Sequence, residues 1–381
     1  MEIFLQIVYT ILVLGFLIFI HELGHFTAAK IFKVQVNEFS LGFGPMLIGF
    51  KNHRFLHFFQ KNKNKENEDQ EYTGTKYALR LLPIGGYVNM EGENEESENP
   101  AAFTQKPAWQ KIIIVISGVL MNVIVAFIIT AILVCVNPTA STTVAQFAEN
   151  SISAQSGLQQ DDKIIKINNT RVSNFVDISS AFQDTITKDG VFGTADITVL
   201  RNGEELLIDN VKLPYAYIAT GDYVTQENLA DNEGQARCLT IDFKVYPVEI
   251  TFVTLFTQTF KEMGSYIKLM YKTFFQLFTG QLSLEYVSGP IGTSSVISEA
   301  ASYGITSLLY VVSLISVNLA VFNLLPFPAL DGGRAVFLLY ELVFRRKVNQ
   351  KVESVIHSVG LILLLGLMVV ITFKDIFFPI N

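Results

Sequence analysis

Four runs of this chain carry no charged residue over a length that matches a lipid bilayer: Ile3–Ile20, Ile112–Val136, Thr306–Leu325 and Val355–Phe373. About 20 apolar residues, at ~1.5 Å each along a helix, cross a hydrocarbon core of ~30 Å. Backbone polar groups inside lipid must bond internally, so each run is expected to be a helix. Half of the residues are hydrophobic and only 17% are charged, with a mean hydropathy of +0.37. That balance suits a membrane chain better than a soluble one. A cleaved signal peptide is the competing reading of the first run. The chain begins Met1-Glu2 rather than with basic residues, and no small-residue cleavage site follows.

Lysine and arginine set the expected orientation. Ten lie between Lys33 and Lys111, and four lie in Phe344–Lys351. Both segments are expected on the cytoplasmic side, which puts both termini, and the long segment between the second and third helices, outside. The formal charge of −7 argues against nucleic acid as a partner. Two distant cysteines, Cys135 and Cys238, make neither a disulfide framework nor a metal site.

Between the apolar runs, Val36–Phe50 alternates and is then broken by Gly42, Gly44 and Pro45, which reads as short strands and turns. "KNKNKENEDQE" is close to low complexity and reads as a solvated loop. "TKYALRLLPIGGYVNMEGE" is strand-like on both sides of Pro83, Gly85 and Gly86 and apolar enough to enter the bilayer edge. From 140 to 215 the chain looks soluble and mixed, with turns at Asn168-Asn169 and Asn202-Gly203, and is expected to form two short βα-type units. Residues 216–247 give no clear pattern. From Thr251 to Phe278 a helix is expected, with Phe252, Phe256, Phe260, Met263, Ile267, Tyr271, Phe274 and Phe278 on one face, packed on protein or on lipid.

The chemistry is concentrated in two places. His21, Glu22 and His25 form H-E-x-x-H at the inner end of the first run. Residues four apart on a helix share a face, so both imidazoles can reach one ion, and zinc accepts histidine nitrogen at about 2.0–2.1 Å. Glu22 then serves as base for the attacking water rather than as a ligand. A chance match is the bland alternative. Three ionisable groups at the end of a spanning helix are costly there, which favours function. Such a site needs a third protein ligand. Asp331 is the candidate: it lies in "NLLPFPALDGGRAVF", after Pro326 and Pro328, which stop a helix, and before Gly332-Gly333. Asn323, in the same apolar run, either binds substrate backbone or a developing oxyanion, or simply bonds a neighbouring helix. His53 and His57 share the four-residue spacing without a glutamate between them and make a weaker metal candidate. His357 is expected to be a buried, hydrogen-bonded histidine, and Trp109 an interface anchor.

Together, "HELGH", "FSLGFGP", "LPIGGYV", "SGPIG" and "NLLPFPALDGG" resemble the site-2 protease family, most closely its RseP-type intramembrane zinc metalloproteases of bacteria. The motifs span most of the chain in the family's order. The resemblance implies Zn2+ held by His21, His25 and Asp331, with Glu22 catalytic. It implies substrate-binding roles for Asn323, Gly85, Gly86, Pro326 and Pro328, with the "LPIGGYV" β-loop pairing with an unwound substrate helix. It also implies a PDZ-like domain centred on "SAQSGLQQDDKIIKINN", in which Asp161-Asp162 stands where the family usually has Gly-Asp.

The expected fold class is therefore a multi-pass α-helical membrane protein with four transmembrane helices, a membrane-associated β-loop region and an inserted extracytoplasmic PDZ-like α+β domain. Its parts are expected at 1–136 (N-terminal membrane part), 140–215 (PDZ-like domain), 216–305 (linker and amphipathic helix) and 306–381 (C-terminal membrane part). The expected function is zinc-dependent cleavage of single-pass membrane proteins, such as anti-sigma factors or signal-peptide remnants, in the cytoplasmic membrane of a bacterium. The expected partners are those substrates and the lipid bilayer. A non-catalytic adaptor carrying a PDZ module is the alternative, but such a chain would be expected to have lost one of His21, Glu22, His25 and Asp331. A transporter would need more intramembrane carboxylates and an internal repeat.

Overall fold

A computed structural model describes residues 2–51, 54–57, 74–93, 97–137, 140–182, 185–218, 220–232, 234–280, 289–346 and 348–377. The chain forms two compact units, residues 1–129 with 276–380, and residues 130–275. The first unit opens with α1 (Glu2–Ile31), β1 (Val36–Lys51), β2 (Arg54–His57), β3 (Lys76–Met90) and α2 (Ala108–Val136). The second contains β4 (Ala140–Phe147), α3 (Ile152–Gln155), β5 (Lys163–Ile167), β6 (Thr170–Arg171), α4 (Phe175–Phe182), β7 (Phe192–Arg201), β8 (Glu204–Tyr217), β9 (Arg237–Leu239), β10 (Phe243–Pro247) and α5 (Phe252–Phe278). The chain returns to the first unit as α6 (Pro290–Ser302), α7 (Ile305–Leu324), α8 (Asp331–Phe344) and α9 (Gln350–Phe377).

Four of the described helices are long and apolar enough to cross a membrane: α1, α2, α7 and α9. They coincide with the four charge-free runs. α1 runs on past its apolar stretch through His21 and His25 to Ile31, so the motif inherits the register of the spanning helix. It stops where Lys33 turns left-handed (φ 55°). The Val34 N–H bonds back to the Ala29 carbonyl at 2.8 Å and the Lys33 N–H to Lys30 at 3.1 Å, which satisfies two terminal carbonyls.

The sheet of the first unit is folded twice over. β1 bends at Gly42 (φ 90°), and β3 bends at Gly85 (φ 100°). The two halves of each strand become separate ribbons. Glu38 of β1 therefore pairs with both Asn89 and Lys76 of β3, while Ile48 pairs with Leu79 and with His57 of β2. The segment Gly86–Met90 ends the sheet on one side. Arg80 bolts the ribbons together: its Nη2 donates to Glu38 Oε1 at 2.5 Å, its Nε to Ser40 at 2.9 Å and its Nη1 to the Gly44 carbonyl at 2.6 Å. Burial raises the pKa of Glu38, but hydrogen bonds from Arg80 and Tyr87 and the Lys76 charge outweigh it and hold the carboxyl below its ordinary range.

In the second unit the strands follow the order β10-β4-β5-β7-β8-β9, with β6 paired to β5, and every pairing is antiparallel. The two expected strand–helix alternations are present as β4–α3–β5 and β6–α4–β7, within a wholly antiparallel sheet. The reversal at Asn168-Asn169 turns the chain round before α4, so β7 returns antiparallel to β5. Asn202 and Gly203 both take positive φ (52° and 89°), the two-residue hairpin turn expected there. The core is made by Val144, Ile164, Ile178, Phe182, Ile197 and Val211. The unit also takes in residues beyond 215: β8 runs to Tyr217, and β10 closes on β4 with Phe243 opposite Phe147. Strands of three to five residues are too short for a period to show in sequence.

Asp161 has φ 69°, the left-handed conformation for which glycine is the usual residue. Asp162 is fully buried and receives two 2.7 Å hydrogen bonds from Arg201. α5 is a helix as expected, but its buried stripe is Thr259, Met263 and Tyr266, whereas Phe252 and Phe260 are 78% and 65% exposed. Polar docking onto α4 sets this rotation. Ser265 donates to Asp177 at 2.8 Å, and the Lys272 ammonium donates to the Ser180 carbonyl at 2.7 Å.

Candidate active site

His21 and His25 lie one turn apart on α1, with ring centroids 4.8 Å apart and planes nearly perpendicular. They face α2 at a close crossing. A Cβ on Gly24 would stand 2.3 Å from the Ser117 carbonyl oxygen, and one on Gly118 would stand 2.4 Å from His25 Nε2. Each ring is oriented through its other nitrogen. His25 Nδ1 lies 2.8 Å from the Ile114 carbonyl, which can only accept, so Nδ1 carries the proton and the neutral ring keeps a lone pair on Nε2. The Asn122 amide lies 3.4 Å from His21 Nδ1, and its buried Oδ1 has no partner. A half-turn of the Asn122 amide about its last bond brings Oδ1 to that position, where it accepts from His21 Nδ1–H. His21 then also offers Nε2.

Asp331 arrives from the other end of the sequence. α7 ends at Leu324, Pro326 and Pro328 prevent its continuation, and Asp331 is the first residue of α8. Gly333 lets α8 fold back tightly: a Cβ there would meet the Phe327 carbonyl oxygen at 2.2 Å. Asp331 Oδ2 lies 3.1 Å from His21 Nε2 and 3.3 Å from His25 Nε2, and the two Nε2 atoms are 3.2 Å apart. Buried Oδ2 receives no well-directed hydrogen bond from either ring. Among the described residues this is the one group of three histidine, cysteine or acidic side chains whose ligand atoms converge.

Beside the triad lies a cavity of about 290 Å³, lined by His21, Glu22, Asn323 and Asp331 with Ile18, Gly85, Gly86, Asn122, Leu319, Ala329 and Leu330. Of the residues singled out from sequence, His21, Glu22, Asp331, Asn323, Gly85 and Gly86 meet here, with His25 directly behind. Pro326 and Pro328 are not part of the lining; Pro328 packs instead against Gly360 of α9. His53 lies outside the described residues. Gly24 was not singled out from sequence; Gly118 and Asn122 match the family resemblance on the second membrane helix, where Gly118-Val119 stands in place of the usual Gly-Pro, but neither was given a site role. Their signal was faint: two small residues and one amide on apolar helices, where backbones that approach closely need small residues.

Four long apolar helices, one of them carrying two histidines that converge on an aspartate beside a glutamate-lined cavity, define a membrane peptidase. The chain belongs to peptidase family M50, the site-2 protease family, whose pattern it matches over residues 9–60 and 68–367. It is similar to a Clostridium acetobutylicum protein at 34% identity, covering 99% of both chains, and to a Fusobacterium nucleatum protein at 32%, covering 96% of this chain and 97% of the other. Both are named, provisionally, as zinc metalloproteases. The zinc metalloprotease RasP of Bacillus licheniformis is 28% identical over 96% of this chain and 97% of its own.

Proposed function

We propose that the chain is an intramembrane zinc endopeptidase that cuts single-pass membrane proteins, with His21, His25 and Asp331 as the metal ligands. The observation that carries this is the donor triangle with edges of 3.1, 3.2 and 3.3 Å. Ligands at 2.0–2.1 Å from one tetrahedral ion are about 3.3–3.4 Å apart, so the three atoms fit zinc. Two imidazole lone pairs and one carboxylate oxygen without a donor are the chemistry such an ion takes up. Zinc held there supplies a Lewis acid and brings the pKa of water toward ~7.

The rest falls to the chain itself. Glu22, on the cavity wall, accepts a proton from the attacking water and returns it to the leaving amine. Asn323, also on the wall, offers an amide to the substrate carbonyl. A helical substrate hides its peptide bonds, so it must be extended first. The segment Gly86–Met90 supports a route: among the described residues it pairs on one side only, with β1, and Gly86 reaches the cavity. An added substrate strand there would lie beside Glu22. The exterior unit is read as a PDZ-like screen for substrates with a trimmed outer portion, and the enzyme is assigned to a bacterial cytoplasmic membrane with both termini outside.

The test is Glu22→Gln, with bound zinc and cleavage of a truncated single-pass substrate both measured. Zinc retained with cleavage lost is expected; unchanged cleavage rules the mechanism out.

A further inference from the structure

Asp331 is held at the end of a six-residue connection between α7 and α8, and what fixes that connection lies on a different helix. Phe327–Leu330 is a tight turn: the Leu330 N–H bonds to the Phe327 carbonyl at 3.2 Å. Pro328 occupies its second position and Ala329, with φ 76°, its third. That pattern is a type II turn, whose third position demands positive φ and normally takes glycine. Alanine would rather take the type I form. The two differ in the Pro328–Ala329 peptide, which is flipped between them, so the Ala329 N–H points in opposite directions.

α9 supplies the group that selects one direction. The Ala329 N–H donates to His357 Nδ1 at 2.9 Å. A backbone N–H can only donate, so Nδ1 is unprotonated and the proton of the neutral ring sits on Nε2. Nε2 is buried and without a partner among the described residues. The ring thus makes one polar contact and leaves its donor unused, which marks the acceptor at Nδ1 as its purpose. One turn further along α9, Gly360 admits the turn itself: a Cβ there would stand 2.4 Å from Pro328 Cβ and 2.6 Å from the Pro328 carbonyl oxygen.

We infer that His357 is a positioning residue for the metal site: it fixes the Pro328–Ala329 peptide and thereby the placement of Asp331 against His21 and His25. It touches neither substrate nor the three ligand atoms. The inference rests on the reading of those three residues as the zinc ligands.

The experiment compares zinc affinity of the full chain, purified in detergent, by competition with a chromogenic chelator. His357→Asn places an amide oxygen where Nδ1 was and can still accept from Ala329. His357→Leu fills similar space and cannot. Loss of a group that orients a metal ligand typically weakens binding about 10–100-fold. His357→Leu is expected to fall in that range, and His357→Asn to stay within about threefold of the parent. Equal zinc affinity in all three proteins, or equal loss in both variants, overturns the inference. His21→Ala, measured alongside, tests the ligand reading separately: if it keeps parental zinc affinity, that reading fails and the inference falls with it.

Discussion

Gly118 of α2 lies so close to His25 that a methyl group on it would stand 2.4 Å from Nε2, with His21 Cε1 at 2.7 Å. The backbone of α2 is thus the floor on which both rings rest. Gly118→Ala must push the rings away from it, and neither can retreat freely, since His25 is tied to Ile114. The expected result is zinc binding weakened by about tenfold or more, the size seen when the orientation of a ligand is lost. Gly366→Ala, where nothing lies within 4 Å, is the control and should bind zinc as the parent does. Equilibrium dialysis against zinc separates the two.

Asn122 is expected to act on His21 as the Ile114 carbonyl acts on His25. Asn122→Leu keeps an apolar helix surface but removes the acceptor for Nδ1–H. Zinc affinity should fall about tenfold, with little change in thermal stability. An unchanged affinity would mean that His21 is oriented by its packing alone.

How much of this was legible in the sequence follows from the range of the forces involved. Each charge-free run is a local signal, and each became a helix. His21, Glu22 and His25 were legible for the same reason: they ride on a helix whose register the apolar run fixes. Asp331 was legible only because proline and glycine surround an acidic residue in an apolar stretch, and its meeting with α1 required the resemblance or the fold. The Gly118 contact, the Asn122 amide and the docked face of α5 were not legible. Each depends on which side of a uniformly apolar or mixed helix meets a partner, and periodicity does not name the partner. The aromatic stripe of α5 does not mark the docked face: Phe252 and Phe260 are exposed, as the lipid-facing alternative expects, while two polar contacts to α4 hold another side of the helix.

Gly85 takes φ 100° and lies under the Phe43 ring, whose Cε2 would be 2.0 Å from an added Cβ. Gly85→Ala therefore meets a backbone penalty of about 1–2 kcal/mol and a ring that must move. Both disturb the sheet end that leads into the cavity, and neither touches the histidines. The expected outcome is normal zinc content with cleavage of a single-pass substrate reduced tenfold or more. Zinc loss in this variant would mean that the sheet supports the metal site itself rather than the substrate.

Asp177 gives the pH prediction. Burial raises its pKa, but hydrogen bonds from Ser173 and Ser265 and the nearby Lys268 outweigh it and leave the carboxyl below its ordinary value. A depressed folded-state pKa means that ionised Asp177 stabilises the α4–α5 contact fully above its unfolded value, near about 3.9, and that this stabilisation disappears as pH falls through the folded value. Asp177→Asn lacks it at every pH. Hydrogen exchange of the α5 amides in the full chain should be faster in the variant at neutral pH, and the two proteins should converge only once the pH falls below the ordinary carboxyl range, through the lowered folded-state value. Taking the ratio of variant to parent at each pH cancels the intrinsic dependence of exchange on pH. A ratio that stays constant down through that value would assign the docking of α5 to the hydroxyl and backbone contacts and not to the charge on Asp177.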